Sequence, residues 1–277
     1  MTLEGDRWTR PAAVAGRFYP SDPRELADQV RRLLEGVPGE ARRVPAVIVP
    51  HAGLTYSGAC AARVYGRLAL PGIVVILAPD HTGKGARGTA ALWPRGSFET
   101  PLGGVPIAEA FAARLQSACD LVLPDPVAHQ SEHAIEVELP FLQILAPGSA
   151  IVPMVLAWDD WGRSARLATA LAGLAGAWPE PVLLVASSDF THYESVQAAR
   201  LKDRIALAAV ERLDGQGLLD ACRVNRITMC GRAPVAAVCE AARQLGASRA
   251  EAVDYRHSGL VTGDDQSVVS YAGVILT

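Results

Sequence analysis

Short runs of Val, Ile, Leu and Ala recur at 46–49, 73–78, 151–156, 182–186 and 268–275, and they constrain the fold more than any other feature of the chain. Each has the length of a strand. Most lack the polar–apolar alternation of a sheet with one wet face, so they read as strands covered on both sides. Between them lie longer helical patterns at 23–35, 107–119, 134–145, 164–177, 196–213 and 234–245. Ser21 and Asp22 before Pro23 make a helix start, and Gly36 and Gly246 make helix stops. Strands alternating with helices predict an α/β fold, with a mixed, largely parallel sheet flanked by helices. The segment 85–100, with Trp93 and Phe98 among small residues, is expected to add a hairpin. No repeat, low-complexity tract or long polar linker divides the 277 residues, so the whole chain, 1–277, is expected to form a single domain.

Half of the residues are apolar, and the mean hydropathy of +0.18 is high enough to require a membrane check. The longest uncharged run, 139–158, is nominally long enough to span a bilayer, but Pro140, Pro147, Gly148, Ser149 and Pro153 break it into two short pieces. The N-terminus MTLEGDRWTRP is polar where a signal peptide needs an apolar stretch, so a cytoplasmic location is expected. Five cysteines with no C-x-x-C pair suggest no disulfide framework. A net charge of −3 gives no electrostatic basis for binding nucleic acid or an anionic membrane.

Three of the strand-like runs end in histidine-bearing turns. The first runs into Pro50-His51-Ala52-Gly53, the second into Pro79-Asp80-His81-Thr82-Gly83, and the fourth into Ser187-Ser188-Asp189-Phe190-Thr191-His192. Open α/β sheets bind ligands in the crevice outside the carboxyl ends of their strands. Core packing gives no reason to place imidazoles at three such ends, so His51, His81 and His192 are expected to share a site, either a metal site or an acid–base cluster. Histidines with a carboxylate or thiolate and open positions suit non-haem Fe(II), zinc or copper. Cys230, just before the helix expected near Pro234, is the thiol best placed to ionise and ligate. Cys60, Cys119 and Cys239 sit in Ala- and Val-rich contexts and read as small buried hydrophobes.

His129 to His133 spells H-x-x-E-H, the inverzincin pattern, which requires both histidines in one helix. Pro124 and Pro126 place His129 in a loop instead, with a helix starting near Ser131. In such a helix His133 and Glu136 lie one turn apart and point the same way, so that Glu132 or Glu136 can orient a proton-transferring histidine. Glu132 and Glu138 read equally well as a solvated acidic first turn. Ser188, Asp189 and His192 lack G-x-S-x-G and the spacing of a hydrolase triad, and residues 81–85 do not match a phosphate loop.

Ordered blocks of the sequence carry a resemblance. They are RPAAVAGRFYP (10–20), PHAGLTYSG (50–58), APDHTG (78–83), TPLGGV (100–105), EHAIEVELPFLQ (132–143), SSDFTHY (187–193), MCG (229–231) and SG-x-x-TGD with SVVSYAG (258–273). In these the chain resembles, almost end to end, the Memo family, whose bacterial and archaeal members are called AmmeMemoRadiSam system protein B. The resemblance implies a fold similar to class III extradiol dioxygenases. It implies a metal pocket of His51, His81 and Cys230, with His192, Asp189 and His133 as catalytic groups and Tyr56 and Glu136 in the substrate pocket. Fe(II) is the implied ion, with copper or zinc as alternatives.

Two functions follow from the resemblance. One is a non-haem iron oxidoreductase acting on a small molecule. The other is a metal- or peptide-ligand-binding protein without dioxygenase activity, working with AMMECR-type and radical SAM proteins. The chain departs from the family pattern at Leu54, Ala78, Asp80 and His257, which bears on pocket shape and on the charge beside His81.

Overall fold

The computed structural model describes residues 8–37 and 41–277, so the first seven residues of the polar N-terminus lie outside the described residues. The first half of the chain forms β1 (Thr9–Arg10), α1 (Pro23–Leu34), β2 (Ala46–Val49), α2 (Leu54–Tyr65), β3 (Ile73–Pro79), β4 (Ala90–Leu92), β5 (Ser97–Thr100), β6 (Gly103–Pro106), α3 (Glu109–Ala118) and β7 (Val122–Pro124). A short α4 (Pro126–His129), a 3-10 turn (Glu136–Glu138) and α5 (Leu139–Leu145) follow. The rest forms β8 (Ala150–Leu156), α6 (Trp161–Ala177), β9 (Val182–Ser187), β10 (His192–Glu194), α7 (Val196–Glu211), α8 (Gly215–Val224), α9 (Arg232–Gln244), β11 (Ala250–His257), α10 (Gly259–Thr262) and β12 (Val268–Leu276).

The apolar runs become the middle of a nine-stranded mixed sheet of order β10-β12-β2-β9-β3-β8-β4-β7, with β11 also paired to β12. Strands β2, β9, β3 and β8 are parallel, while β12 joins β2 and β4 joins β8 in antiparallel fashion. Every residue of β2 and β9 is buried. Successive side chains point to opposite faces, so both faces of these strands are covered, as the unbroken apolar runs require. Helix α9 packs on β9, β3 and β2 and carries α6 and α8, while α2 packs on β12, β11 and β2 with α1 against it.

Register fixes where the site forms. Val49 pairs with Ser187, and Leu77 pairs with Ala186. The chain therefore leaves β2, β9 and β3 at nearly the same height, bringing the three histidine-bearing turns to one edge of the sheet.

Local signals account for α1, where the Asp22 carboxylate accepts from the backbone N–H of Arg24 and Glu25 ahead of Pro23. Elsewhere the structure corrects the sequence. The expected hairpin at 85–100 is divided between two sheets: β4 lies in the large sheet, and β5 pairs with β6 in a separate three-stranded sheet. The helix expected over 134–145 is a 3-10 turn followed by the shorter α5, with α4 ahead of them. Among the described residues no helix is long and apolar enough to cross a membrane.

Candidate metal centre

His51 follows the last residue pair of β2 and β9 and is 1% exposed. Its backbone N–H, with that of Ala52, donates to one oxygen of Asp189 at 2.9 and 3.3 Å. Asp189 therefore clamps the turn after β2. Burial raises its carboxyl to about 6, against the pull of His192 and those backbone donors. The His51 ring is held at Nδ1 by the Ser187 hydroxyl, 2.8 Å away, and its Nε2 lies 3.3 Å from Cys230 Sγ. Burial and the neighbouring imidazoles of His81 and His133 keep this ring neutral, well below the usual histidine range.

His81 follows β3. Glu132 accepts from its backbone N–H at 2.7 Å and meets its Nδ1 at 2.9 Å. The same carboxylate accepts from the backbone N–H of His133 and Ala134 at 2.8 and 3.0 Å. Burial would raise Glu132, but its hydrogen bond and ion pair with His81 outweigh that and hold it ionised.

The His51 and His81 ring centroids are 5.1 Å apart, and His133 stacks on His81 at 4.7 Å. Among the described residues, two sets of donor atoms lie within 4.8 Å of one another: His51, His81 and Cys230, and His81, Glu132 and His133. The lone pairs decide between them. Glu132 Oε1 already faces three N–H groups and Oε2 accepts from the His81 N–H, so the carboxylate of the second set is largely spent on the protein. In the first set each imidazole is tied at Nδ1, leaving Nε2 and the thiol free to converge. Donor atoms no more than 4.8 Å apart, two of them 3.3 Å apart, share a point within about 2.8 Å of each, and metal bonds to N and S run about 2.0–2.3 Å.

Cys230 sits at the N-terminal end of α9, beside Gly231. A Cβ at residue 231 would lie 2.5 Å from Ser188 Cβ and 2.6 Å from the Ser187 carbonyl oxygen, so only glycine lets the thiol loop lie against the end of β9. Gly231→Ala is expected to cost about 1–3 kcal/mol through overpacking. A urea unfolding midpoint equal to that of the parent would show that the loop yields freely.

The triad sits in the wall of a cavity of about 660 Å³ whose lining includes Phe18, Tyr56, His133, His192 and Tyr271. His192 Nδ1–H donates to the Thr228 carbonyl at 2.9 Å, and its backbone N–H donates to Thr228 Oγ1 at 2.7 Å. His133 is held by burial at about 4, hence neutral, with the Phe18 ring 4.6 Å away.

Thus the structure brings together His51, His81, Cys230, His133, His192, Asp189 and Tyr56. It does not bring Glu136. That residue is fully buried, bonded to Arg10 and Tyr19 and to the backbone N–H of Ala13 and Val14 at 2.8 and 3.0 Å. The reason is local: residues 130–135 form no helix, so His133 and Glu136 do not share a helical face. Nor do Glu132 and Glu138 form a solvated first turn, being 2% and 1% exposed. His129 lies in α4 and is buried, bonded through Nε2 to the Ala91 carbonyl at 2.8 Å, so H-x-x-E-H forms no shared zinc helix. Asp80 spends both carboxylate oxygens within its own turn, on Thr82 and the Gly85 N–H, at 2.9 and 2.8 Å.

The family model of Memo-like proteins matches residues 10–275. This chain belongs to the Memo family. A MEMO1 family protein of Methanopyrus kandleri is 38% identical over 279 residues, with 96% of this chain and 98% of the relative covered. A MEMO1 family protein of Aquifex aeolicus is 38% identical over 267 residues, with the same shares covered. Among solved structures, an uncharacterized protein from Escherichia coli K12 has a similar fold, with a TM-score of 0.54 at 15% identity, covering 83% of this chain and 99% of that one. At that identity the likeness is one of fold alone. Every residue of the triad lies inside the span matched by the Memo family.

Proposed function

We propose that this Memo family protein binds one transition-metal ion through His51, His81 and Cys230 and acts as an oxidoreductase on a small molecule held in the cavity. Iron(II) is the proposed ion, with copper and zinc as alternatives. The observation that carries this reading is the pair of imidazoles pinned at Nδ1, by Ser187 and Glu132, so that both Nε2 atoms are left to face the Cys230 thiol. Outer partners of this kind fix the tautomer and ring orientation of metal-binding histidines. Two imidazoles and a thiolate suit iron, copper or zinc, and suit magnesium or calcium poorly.

An ion bound there supplies Lewis acidity and, if iron or copper, one-electron chemistry. The chain supplies the rest. Neutral His133 accepts a proton at the cavity wall, and His192, fixed as the Nδ1–H tautomer by Thr228, offers Nε2 as a second acceptor. Phe18, Tyr56 and Tyr271 give the cavity aromatic walls that suit a planar, largely apolar substrate.

A soft thiolate favours copper and zinc more than a carboxylate would. That donor supports the second reading, a metal- or ligand-binding protein without dioxygenase activity, for which the family resemblance suggests AMMECR-type and radical SAM proteins as partners. Anaerobic purification with metal analysis, repeated for His51→Ala, His81→Ala and Cys230→Ala, tests the site. Each variant is expected to lose the stoichiometric ion, and unchanged stoichiometry in all three refutes the proposal. Oxygen uptake with a panel of catechols then separates the two readings.

A further inference from the structure

Behind His51 lies a buried chain of polar atoms whose protons can be counted. Ser187 Oγ has three polar neighbours: the Ala134 carbonyl oxygen at 2.7 Å, Glu138 Oε1 at 2.9 Å and His51 Nδ1 at 2.8 Å. On the far side the Tyr65 hydroxyl meets Glu138 Oε2 at 2.9 Å. Ser187 and Tyr65 are fully buried, and Glu138 and His51 are 1% exposed.

A carbonyl oxygen has no proton to give, so the proton between Ser187 and Ala134 is the serine's own. A hydroxyl has only one. The contacts from Glu138 and His51 must then bring their own protons to the two lone pairs of Ser187. For His51 this means Nδ1–H. For Glu138 it means the carboxylic acid. Tyr65 donates to the remaining oxygen, and the four contacts take four protons. With Glu138 ionised, either Ala134 or Glu138 would stand against the serine oxygen as an acceptor facing an acceptor, among groups closed off from solvent.

We infer that Glu138 is held as a neutral carboxylic acid and acts through Ser187 as a positioning residue that fixes His51 in its Nδ1–H tautomer. The charged and titratable groups around it agree. Burial pushes the Glu138 carboxyl up to about 8, outweighing the bonds from Ser187 and Tyr65, and nearby Asp189 adds to the rise. The Tyr65 hydroxyl is raised far above the usual tyrosine range by burial and then by Glu138, and so remains a donor.

The protonation state stands apart from any ion, while its use, aiming the His51 Nε2 lone pair at Cys230, rests on the metal-site reading. The two carboxyls behind the imidazoles then play opposite parts. Glu132 orients His81 as an anion, and Glu138 orients His51 as a neutral acid, which keeps a second negative charge out of the centre.

The test uses the full-length, metal-free protein near pH 6. The infrared difference between the parent and Glu138→Gln is expected to show the carbonyl stretch of a protonated carboxylic acid, shifted in deuterium oxide. Its absence overturns the inference. Nitrogen NMR of labelled histidine reads the tautomer directly. His51 is expected to carry its proton on Nδ1 in the parent and in Glu138→Gln, whose amide still donates to Ser187 and accepts from Tyr65, and to lose that preference in Ser187→Ala. An Nε2–H tautomer in the parent overturns the positioning role. In the metal-loaded protein, Glu138→Gln should hold the ion within about threefold of the parent, whereas Ser187→Ala should weaken it about 10–100-fold. A loss of tenfold or more in Glu138→Gln would mean that the carboxylate charge is needed, and would also overturn the inference. Absence of any bound metal would sink the metal-site reading and leave the infrared and NMR results to decide this one.

Discussion

Glu136→Gln is expected to destabilise the protein by about 3–5 kcal/mol, the usual cost of breaking a buried ion pair from one side. Arg10 is 0% exposed and cannot shed its charge. Its guanidinium bonds to Glu136 and to the Glu132 carbonyl, reaches the His129 carbonyl at 3.0 Å, and lies 5.0 Å from the centre of the Phe98 ring. The amide of Gln keeps the shape but sets an NH2 where an oxygen accepted from two donors, and it removes the only carboxylate in this set, leaving a positive charge in the core. A fall of about 10 °C in the unfolding temperature would follow for a chain of this size. Arg10→Met with Glu136→Leu should recover most of the loss, because the apolar pair leaves no charge behind. A Glu136→Gln variant within about 1 kcal/mol of the parent in urea unfolding would refute the expectation. The pair also has a bearing on the cavity. It ties residues 10–19 to residues 129–136, and through that tie Phe18 reaches His133 and its carbonyl accepts from the Leu54 N–H at 2.8 Å.

The central sheet and the meeting of His51 with His81 were legible because both follow from local facts. An unbroken apolar run needs cover on two faces, and parallel strands in register deliver their C-terminal turns to one edge. Cys230 was legible for a related reason, since a thiol at the start of a helix stands out from thiols inside Ala-rich helices. Glu132, one of the two acids expected to orient a histidine, does meet His81 Nδ1, whereas Glu136 and Glu138 were misread because their environments are built by distant parts of the chain. Read locally, Glu136 shares a helical face with His133 and points to the pocket, while Glu138 looks like part of a wet first turn. In the fold their partners are His81, Arg10, Tyr19, Ser187 and Tyr65, which come from strand ends, the N-terminal segment and α2. The start of α2 and the whole of α8 were not legible because Gly53, Ser57 and Gly58, or Gly215 and Gly217, look like turn residues. Gly58 lies so close to Leu33 that a Cβ would sit 2.8 Å from its side chain, so what looked like a breaker permits two helices to touch. Strand β11 was missed because charged residues dilute its apolar pattern where it pairs on β12.

Metal binding is expected to release about two protons near neutral pH, with affinity rising about 100-fold for each pH unit between roughly 6 and 8. The sign follows from the three ligands taken in turn. Burial lowers His51 so far that it is already neutral and releases nothing. Burial would also lower His81, but its hydrogen bonds to Cys230 and Glu132 win and raise it to about 10, so in the metal-free protein it carries a proton that an ion must displace. Burial raises the Cys230 thiol above its ordinary value against the bond to His81, so the second proton comes from sulfur. Both groups stay protonated throughout this window without metal and lose their protons with it, so each added pH unit favours the bound form twice over. Calorimetric titration with zinc in buffers of different ionisation enthalpy counts the protons directly. Cys230→Ser should reduce the count to about one and weaken zinc by two orders of magnitude or more, since the hydroxyl that replaces the thiol does not ionise in this range. A count below one in the parent would mean that His81 is already neutral and Cys230 already a thiolate before the ion arrives. The two groups would then not hold their protons against each other and Glu132.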